Sequence, residues 1–263
     1  MEKLHKSAYI SGGKFFSRYV TVSPVSILEI GSYNVNGTLK DFQPEGAKWV
    51  GVDIENGPGV DLVIDDTSAL PFEDSSFDYV VASSVFEHDP TFWSTFSEMV
   101  RVLKNGGSIY INSPSNGMIH RYPIDVFRFY PDAGKALEKW GQSIRPELRL
   151  AESFIGKHDG EPWNDFCAVF SLGKSQAIQT IFSDTDCENV WHGDTFLENT
   201  FAEFPQDQRI VRELQNQNSE LQNQNSELQN QNSELQNQYA IVIGSKSWRI
   251  TKPLRGLKWV IRK

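Results

Sequence analysis

Four short runs rich in β-branched and aromatic residues restrict what the first half of this chain can fold into. They are SILEI (26–30), KWVGVDI (48–54), FDYVVAS (77–83) and GSIYINS (107–113). Each run is bounded by Gly, Pro, Asp, Asn or Ser, as strands usually are. The runs show little apolar–polar alternation, which favours a parallel sheet covered on both faces. The pattern therefore predicts an α/β fold.

Helical patterns lie between and after these runs. Apolar residues recur at helical spacing before the fourth run, at Phe92, Phe96, Met99 and Leu103. The Asn-Gly-Gly sequence at 105–107 predicts the end of that helix. We expect a further helix over 131–141, and a late strand over 163–173 at an antiparallel edge of the sheet. Together these elements predict a doubly wound, mostly parallel, Rossmann-like sheet within a first domain, residues 1–173.

Composition excludes several classes of protein. The formal charge of −9 and a pI near 5.1 argue against a nucleic-acid-binding protein. The two cysteines, Cys167 and Cys187, form neither a metal cluster nor a disulfide framework, so we expect no metal and a reducing compartment. No apolar run has the features of a signal peptide or the length of a membrane span. We therefore expect a cytoplasmic protein.

The first predicted strand runs into the turn EIGSYNVNG (29–37), which has the position of a cofactor-binding turn. It has only Gly31 and Gly37, and the G-x-G-x-x-G pattern of a pyrophosphate site is missing. Asp53 ends the second strand, where a carboxylate can accept hydrogen bonds from ribose hydroxyls. Asp65 and Asp66 follow a third strand and can accept from an adenine amino group. A ribose and an adenine without phosphates indicate S-adenosylmethionine.

Three motifs then carry a family resemblance: LPFEDSSFD (70–78), SSVFEH (83–88) and VRVLKNGG (100–107). In order and spacing they resemble class I S-adenosylmethionine-dependent methyltransferases of the type 11-like group, over about residues 25–172. The resemblance implies a methyltransferase with S-adenosylmethionine as cofactor. The cofactor-binding candidates are Glu29, Gly31, Ser32, Asp53, Ile54, Asp66, Thr67 and Ser83.

One departure and two structural alternatives accompany this assignment. The family's E-x-G-x-G-x-G reads EIGSYNVNG here, with only Gly31 and Gly37 as glycines, and a degenerate, non-catalytic domain remains an alternative. Asp53 can also cap a helix, and Asp66 can also be an ordinary turn residue.

The segment HRYPIDVFRFYPDAG (120–134) follows the fifth predicted strand and concentrates polar residues. It resembles H-x-x-P-x-D-x-x-RF of methyltransferases encoded among polysaccharide-assembly enzymes, and GSYNVNG fits that subgroup. The resemblance implies O-methylation of a sugar hydroxyl in bacterial surface polysaccharide (O-antigen or capsule) biosynthesis; a lipid or other small-molecule acceptor is the alternative.

Candidate roles follow from these residue types. His120, polarised by Asp125, is the candidate general base. The candidate substrate-binding residues are His88, Arg121, Tyr122 and Arg128, and the two arginines suit an anionic acceptor such as a nucleotide sugar or lipid-linked glycan. Two structural alternatives stay open: Asp125 and Arg128 can pair to brace the loop, and His88 can cap the segment that follows it.

Residues 174–209 show no clear period and are interpreted as a linker of uncertain structure. The heptad ELQNQNS then occurs three times from residue 213, and a fourth copy begins at 234. Leucine recurs at position d and asparagine at most a positions, which predicts a coiled coil over 210–243. Asparagine at a favours two strands, so we expect a homodimer; a disordered Gln/Asn-rich segment is the alternative.

The tail, residues 244–263, has seven basic residues, no acid, and two tryptophans among aliphatic residues. A basic amphipathic segment of this kind indicates contact with an anionic membrane surface, although protein partners also bind such segments. The SWRITKPLR sequence resembles C-terminal tails of bacterial cell-surface polysaccharide enzymes. We therefore expect a peripheral location on the inner face of the cytoplasmic membrane. A membrane scaffold with a degenerate methyltransferase domain is the alternative.

Overall fold

In the computed structural model, the described residues are 6–35, 37–156, 164–173, 179–185, 187–197 and 206–251. The chain forms two compact units, Met1–Phe201 and Ala202–Lys263. The first contains the sheet and the candidate site, and the second contains the heptad repeats.

A nine-stranded sheet forms the first unit, in the order β3-β2-β1-β4-β5-β7-β6-β8-β9. The strands are β1 Ser26–Ile30, β2 Lys48–Asp53, β3 Leu62–Val63, β4 Phe77–Ser83, β5 Leu103–Pro114, β6 Leu148–Gly156, β7 Asp165–Leu172, β8 Cys187–His192 and β9 Thr195–Leu197. The neighbours from β3 to β5 are parallel and those from β5 to β9 are antiparallel. Seven of these strands therefore run in one direction, which confirms a mixed α/β fold with a mostly parallel sheet.

Helices cover both faces of this sheet. Helix α1, Lys6–Tyr19, packs Phe15 and Phe16 on one face, in a core layer that includes Ile27 of β1. Helices α2, Phe92–Val102, and α3, Asp132–Gly141, pack on the other face around Phe96 and Leu137. The alternation of side chains along the strands supplies both layers. Because β1 lies between β2 and β4 and is parallel to both, the carboxyl ends of these three strands lie side by side.

The antiparallel half of the sheet differs from the sequence prediction. The late strand β7 is not at an edge, because β6 pairs with its far side. Strands β8 and β9 lie within the segment interpreted as a linker, and β8 pairs with β6. Val190 of β8 is fully buried, which explains why this apolar stretch joins the sheet. The sheet thus continues past residue 173, the predicted domain boundary.

Helix α2 ends earlier than predicted. It stops at Val102, and Leu103 already pairs with Phe77 of β4 as part of β5. The pairing shifts before Ser108, and Gly106 has a φ of +82° within this irregularity. The glycines at 106–107 therefore belong to a bulge in the strand and do not end the helix, because strand pairing begins before the Asn-Gly-Gly sequence.

The second unit is dominated by α4, Gln206–Gly244, which is followed by α5, Lys246–Ile250. The helix predicted over 210–243 is confirmed. The leucines of the heptads are 57% to 63% exposed in the single chain, at Leu214, Leu221, Leu228 and Leu235. The coiled coil itself stays a prediction. Most of the basic tail, from residue 252, lies outside the described residues. None of the helices described has the length and hydropathy needed to cross a bilayer.

Candidate functional site

The turn after β1 has an ordered structure without the usual glycines. Gly31 has a φ of +72°, and a Cβ there would lie 2.3 Å from Cγ2 of Val85, in the segment after β4. Gly31 is therefore required both by its conformation and by a close approach. Asn34 accepts a hydrogen bond from the Gly37 amide through its side-chain oxygen, at 2.8 Å. A side chain of the turn thus holds the turn in its conformation.

The connection between β2 and β3 packs against the same turn. The Asn34 amide donates to the Pro58 carbonyl at 2.7 Å. A Cβ on Gly57 would lie 2.3 Å from the Tyr33 ring, and a Cβ on Gly59 would lie 2.5 Å from the Ser32 carbonyl oxygen. Ser32 is itself buried. The backbone of the turn is consequently fixed from one side before any ligand arrives.

Asp53 lies beside this turn, as the sequence predicts. Its Oδ2 accepts from the Tyr33 amide at 3.0 Å and its Oδ1 accepts from the Glu55 amide at 3.1 Å. A carboxylate offers about four acceptor positions, so about two remain for the hydroxyls of a ribose. Ile54 follows with half of its surface exposed, 52%. The structure therefore brings the Gly31 turn, Asp53 and an exposed aliphatic side chain to one edge of the sheet.

Glu29, another predicted cofactor residue, makes internal contacts. It is buried, and its Oε2 accepts from the Trp49 indole at 3.1 Å. Burial raises the pKa of Glu29 to about 7, against the opposing effects of the Trp49 and Leu39 N–H groups. Glu29 thus joins β1 to Trp49 of β2 and to the short 3-10 helix Leu39–Phe42, which lies between these strands. It supports the cofactor turn from inside the fold.

The predicted adenine side is occupied by local hydrogen bonds. Asp66 is exposed, and its two oxygens accept from the amide and hydroxyl of Ser68 at 2.8 and 2.7 Å, which lowers the pKa of Asp66. This is the turn alternative named above. Thr67 shares a 2.7 Å hydrogen bond with Thr95 of α2. Ser83 ends β4, half-buried. Direct cofactor contacts for these three residues stay a prediction.

Asp125 and Arg128 form a brace inside the loop after β5. The Arg128 guanidinium donates to both oxygens of Asp125, at 2.5 and 2.7 Å, and also to the Met118 carbonyl at 2.9 Å. These contacts hold the pKa of Asp125 far below its usual range. Arg128 is therefore engaged in the bracing arrangement within the loop, and its role in acceptor binding stays a prediction.

His120 adjoins this brace. Its Nδ1 lies 3.3 Å from Oδ2 of Asp125, and its amide donates to the same oxygen at 2.8 Å. Burial lowers the pKa of His120, so the ring is neutral at neutral pH and can accept a proton. The other two candidates in this loop, Arg121 and Tyr122, are exposed. The structure thus joins the predicted base to its predicted partner.

One residue of the site was missed by sequence reasoning. Glu87 is fully buried, and burial raises the pKa of its carboxyl to about 8. His88 Nε2 lies 3.7 Å from Oε1 of Glu87, and the His88 and His120 ring centroids are 4.9 Å apart. The adjacency of β4 and β5 was the available signal, because SSVFEH follows one strand and His120 follows the other. His88, a predicted substrate-binding residue, therefore lies in one cluster with Glu87 and His120.

Comparison with known proteins adds to this geometry. Residues 28–111 match the family model described as a methyltransferase domain. The match runs from β1 into β5, and it confirms the predicted methyltransferase domain. S-adenosylmethionine is the cofactor of such domains, in agreement with the sequence prediction.

Curated relatives match over shorter stretches. A demethylmenaquinone methyltransferase of Staphylococcus aureus (strain JH9) is 46% identical over 104 residues, which is 38% of this chain and 43% of that protein. A phthiotriol/phenolphthiotriol dimycocerosates methyltransferase of Mycobacterium ulcerans is 43% identical over 63 residues, 23% of each chain. This chain thus spans less than half the length of these relatives.

Solved structures with a similar arrangement include a 1,6-didemethyltoxoflavin-N1-methyltransferase from Burkholderia thailandensis, solved with S-adenosylhomocysteine. It is 13% identical, with a TM-score of 0.49 over 64% of this chain and 80% of that one. A methyltransferase structure from Bacillus halodurans is 14% identical, with a TM-score of 0.46 over 62% of this chain and 99% of that one.

Proposed function

We propose that this chain transfers a methyl group from S-adenosylmethionine to a hydroxyl oxygen. The observation that carries the proposal is the junction of the Gly31 turn with Asp53, through the 3.0 Å hydrogen bond from the Tyr33 amide. This junction lies inside the matched methyltransferase domain. The turn and the two remaining acceptor positions of Asp53 suit the amino-acid and ribose parts of the cofactor.

The chain's own residues align the reactants and move one proton. The cofactor supplies an electrophilic methyl group on a sulfonium sulfur. Alignment of two reactants contributes several kcal/mol or more to such a displacement. His120 is neutral and accepts the hydroxyl proton as the acceptor oxygen attacks. Asp125 orients the imidazole, and Arg128 keeps Asp125 ionised and in place.

A sugar hydroxyl in surface polysaccharide biosynthesis is the acceptor we propose. The support is the resemblance of the 120–129 segment to methyltransferases of polysaccharide assembly, together with exposed Arg121 and Tyr122, which can contact an anionic sugar acceptor. The second candidate is a ring or lipid acceptor, which the names of the demethylmenaquinone and phthiotriol relatives favour.

Two further proposals concern partners and location. The exposed leucine row of α4 supports a parallel homodimer, because a second copy presents the same leucine and asparagine layers. The seven basic residues of the tail support peripheral attachment to the inner face of the cytoplasmic membrane. Attachment through the tail would bring the enzyme to the membrane that carries lipid-linked glycans.

Calorimetric titration tests the cofactor site. We expect S-adenosylmethionine and S-adenosylhomocysteine to bind the full chain with micromolar Kd, and Asp53→Ala to weaken both at least tenfold. Asp41→Ala is the matched control, because the hydrogen bond described for Asp41 comes from Tyr9 of α1. Equal binding by the wild type and Asp53→Ala, or none at millimolar ligand, would contradict the proposal and favour the scaffold alternative.

Acceptor identity is tested separately with labelled cofactor. Nucleotide sugars, lipid-linked glycans and demethylmenaquinone are offered in parallel to the wild type and to His120→Asn. Label transferred to a glycan hydroxyl, and reduced strongly in His120→Asn, supports the first candidate. Label transferred only to the quinone supports the second.

A further inference from the structure

We propose that Glu87, His88 and His120 form a binding site for a divalent transition-metal ion, with Zn²⁺ as the preferred ion. One ligand atom from each residue lies within 4.8 Å of the other two. Two imidazole nitrogens and a carboxylate oxygen form a common zinc ligand set. This inference goes beyond the proposed function, in which His120 acts as a base and no metal takes part.

Glu87 supplies the first argument. Its carboxyl group is fully buried in the turn that follows β4, and within the described residues neither oxygen has a hydrogen-bond partner. The Ser113 hydroxyl is near enough to lower the pKa of Glu87 but does not meet the carboxylate in hydrogen-bonding geometry. A buried polar group without a hydrogen-bond partner destabilises the folded state. A cation between Glu87 and the histidines would remove that cost.

His88 supplies the second argument, because its ring is already oriented. The Nδ1 of His88 donates to the Ile124 carbonyl, which leaves Nε2 as the nitrogen that faces Oε1 of Glu87, 3.7 Å away. Metal-binding histidines usually donate their second nitrogen to a carbonyl or carboxylate in this way. The His88 side chain is only 16% exposed, so the orientation is held by its surroundings.

His120 completes the set from the neighbouring loop. That loop is fixed to the turn after β4, since the Val126 and Phe127 amides both donate to the Glu87 carbonyl, at 2.7 and 3.2 Å. Ligand atoms around a tetrahedral zinc ion stand about 3.4 Å apart, given metal–ligand distances of about 2.1 Å. The existing separations of 3.7 Å and at most 4.8 Å therefore need only side-chain adjustments.

Three protein ligands leave one position of a four-coordinate zinc ion open, as in catalytic zinc sites. The open position accepts an oxygen ligand such as a water or a hydroxyl. With the ion bound, one nitrogen of His120 is engaged as a ligand, so the metal-bound protein would position an acceptor oxygen by coordination.

Titration of Zn²⁺ alone into the chelator-treated full chain tests the site. We expect one ion per chain with micromolar or tighter Kd, weakened at least tenfold by His88→Asn and by Glu87→Gln. His192→Asn is the matched control, because His192 lies on β8 and its ring makes an edge-to-face contact with Phe182, outside the cluster. Near-UV circular dichroism checks that each variant folds, and His120→Asn replaces any variant that does not.

Co²⁺ provides a spectroscopic reading of the same site. We expect intense visible absorption from a four-coordinate ion in the wild type, lost in His88→Asn and kept in His192→Asn. Zinc binding that is absent, or equal in all folded variants, would overturn the site. Cofactor titration distinguishes the two proposals: binding of S-adenosylhomocysteine without zinc binding removes only the metal site, and zinc binding without cofactor binding removes only the proposed function.

Discussion

The buried Glu29 makes a quantitative prediction about stability and pH. Its pKa is raised from 4.5 to about 7 by burial. The folded state therefore holds this proton more tightly than the unfolded state, and it binds more protons between pH 4.5 and about 7. The contribution of Glu29 to the free energy of unfolding therefore falls as the pH rises through this window, because Glu29 ionises in the unfolded state at a lower pH than in the folded state. The full shift corresponds to about 3 kcal/mol, since one pKa unit is worth about 1.4 kcal/mol.

Glu29→Gln removes this ionisation and keeps an acceptor for the Trp49 indole. We compare the free energy of unfolding of the variant minus that of the wild type at about pH 5 and about pH 8. We expect this difference to be about 2–3 kcal/mol more positive at the higher pH, because only the wild type loses stability through Glu29. Urea unfolding followed by near-UV circular dichroism measures this at both pH values. Subtracting the wild-type change between the two pH values from the variant's change removes the contributions of Glu87 and of other groups that do not interact with Glu29. A variant-to-wild-type difference that is the same at both pH values would refute the reasoning.

The remaining predictions concern the turn and the helix. Gly31→Ala places a Cβ 2.3 Å from Val85 at a φ of +72°, so we expect calorimetry to show at least a tenfold loss of cofactor affinity. Adding Val85→Ala removes the close contact but leaves the strained φ, so we expect it to restore little of that affinity. The double substitution Leu221→Lys with Leu228→Lys places charges in the leucine row of the proposed dimer. We expect the molar mass measured by light scattering to fall to that of a monomer, and an unchanged mass would contradict the coiled coil.

The parallel half of the fold was predictable because its information is local. Strand β1 and strand β4 follow from short apolar runs, and the buried leucine and isoleucine positions match the two core layers. The antiparallel half was less accessible: β8 has six residues without a periodic pattern, and its place is set by pairing with β6, a long-range contact. Short strands of that kind are defined by their partners more than by their own residues.

The site shows the same division. Asp53 was predictable from its distance to the turn, since strand order places both at one edge. The hydrogen bonds of Asp66 and Arg128 could not be predicted from the sequence, because residue type alone does not say whether a charged group binds a ligand or its own loop. Glu87 was missed since its burial depends on how two loops close over it.

The identity of the heptads in α4 has a geometric consequence for a pair of such helices. Sliding one copy by seven residues restores the same leucine and asparagine contacts, except for one heptad of layers, because one heptad of each copy is then left unpaired at opposite ends. The displacement is about 10 Å along the axis, at about 1.5 Å per residue. A dimer built on this helix therefore has several nearly equivalent lengths, separated by regular steps. Only the non-repeating residues at the two ends, such as Val211 and Tyr239, distinguish one step from the next.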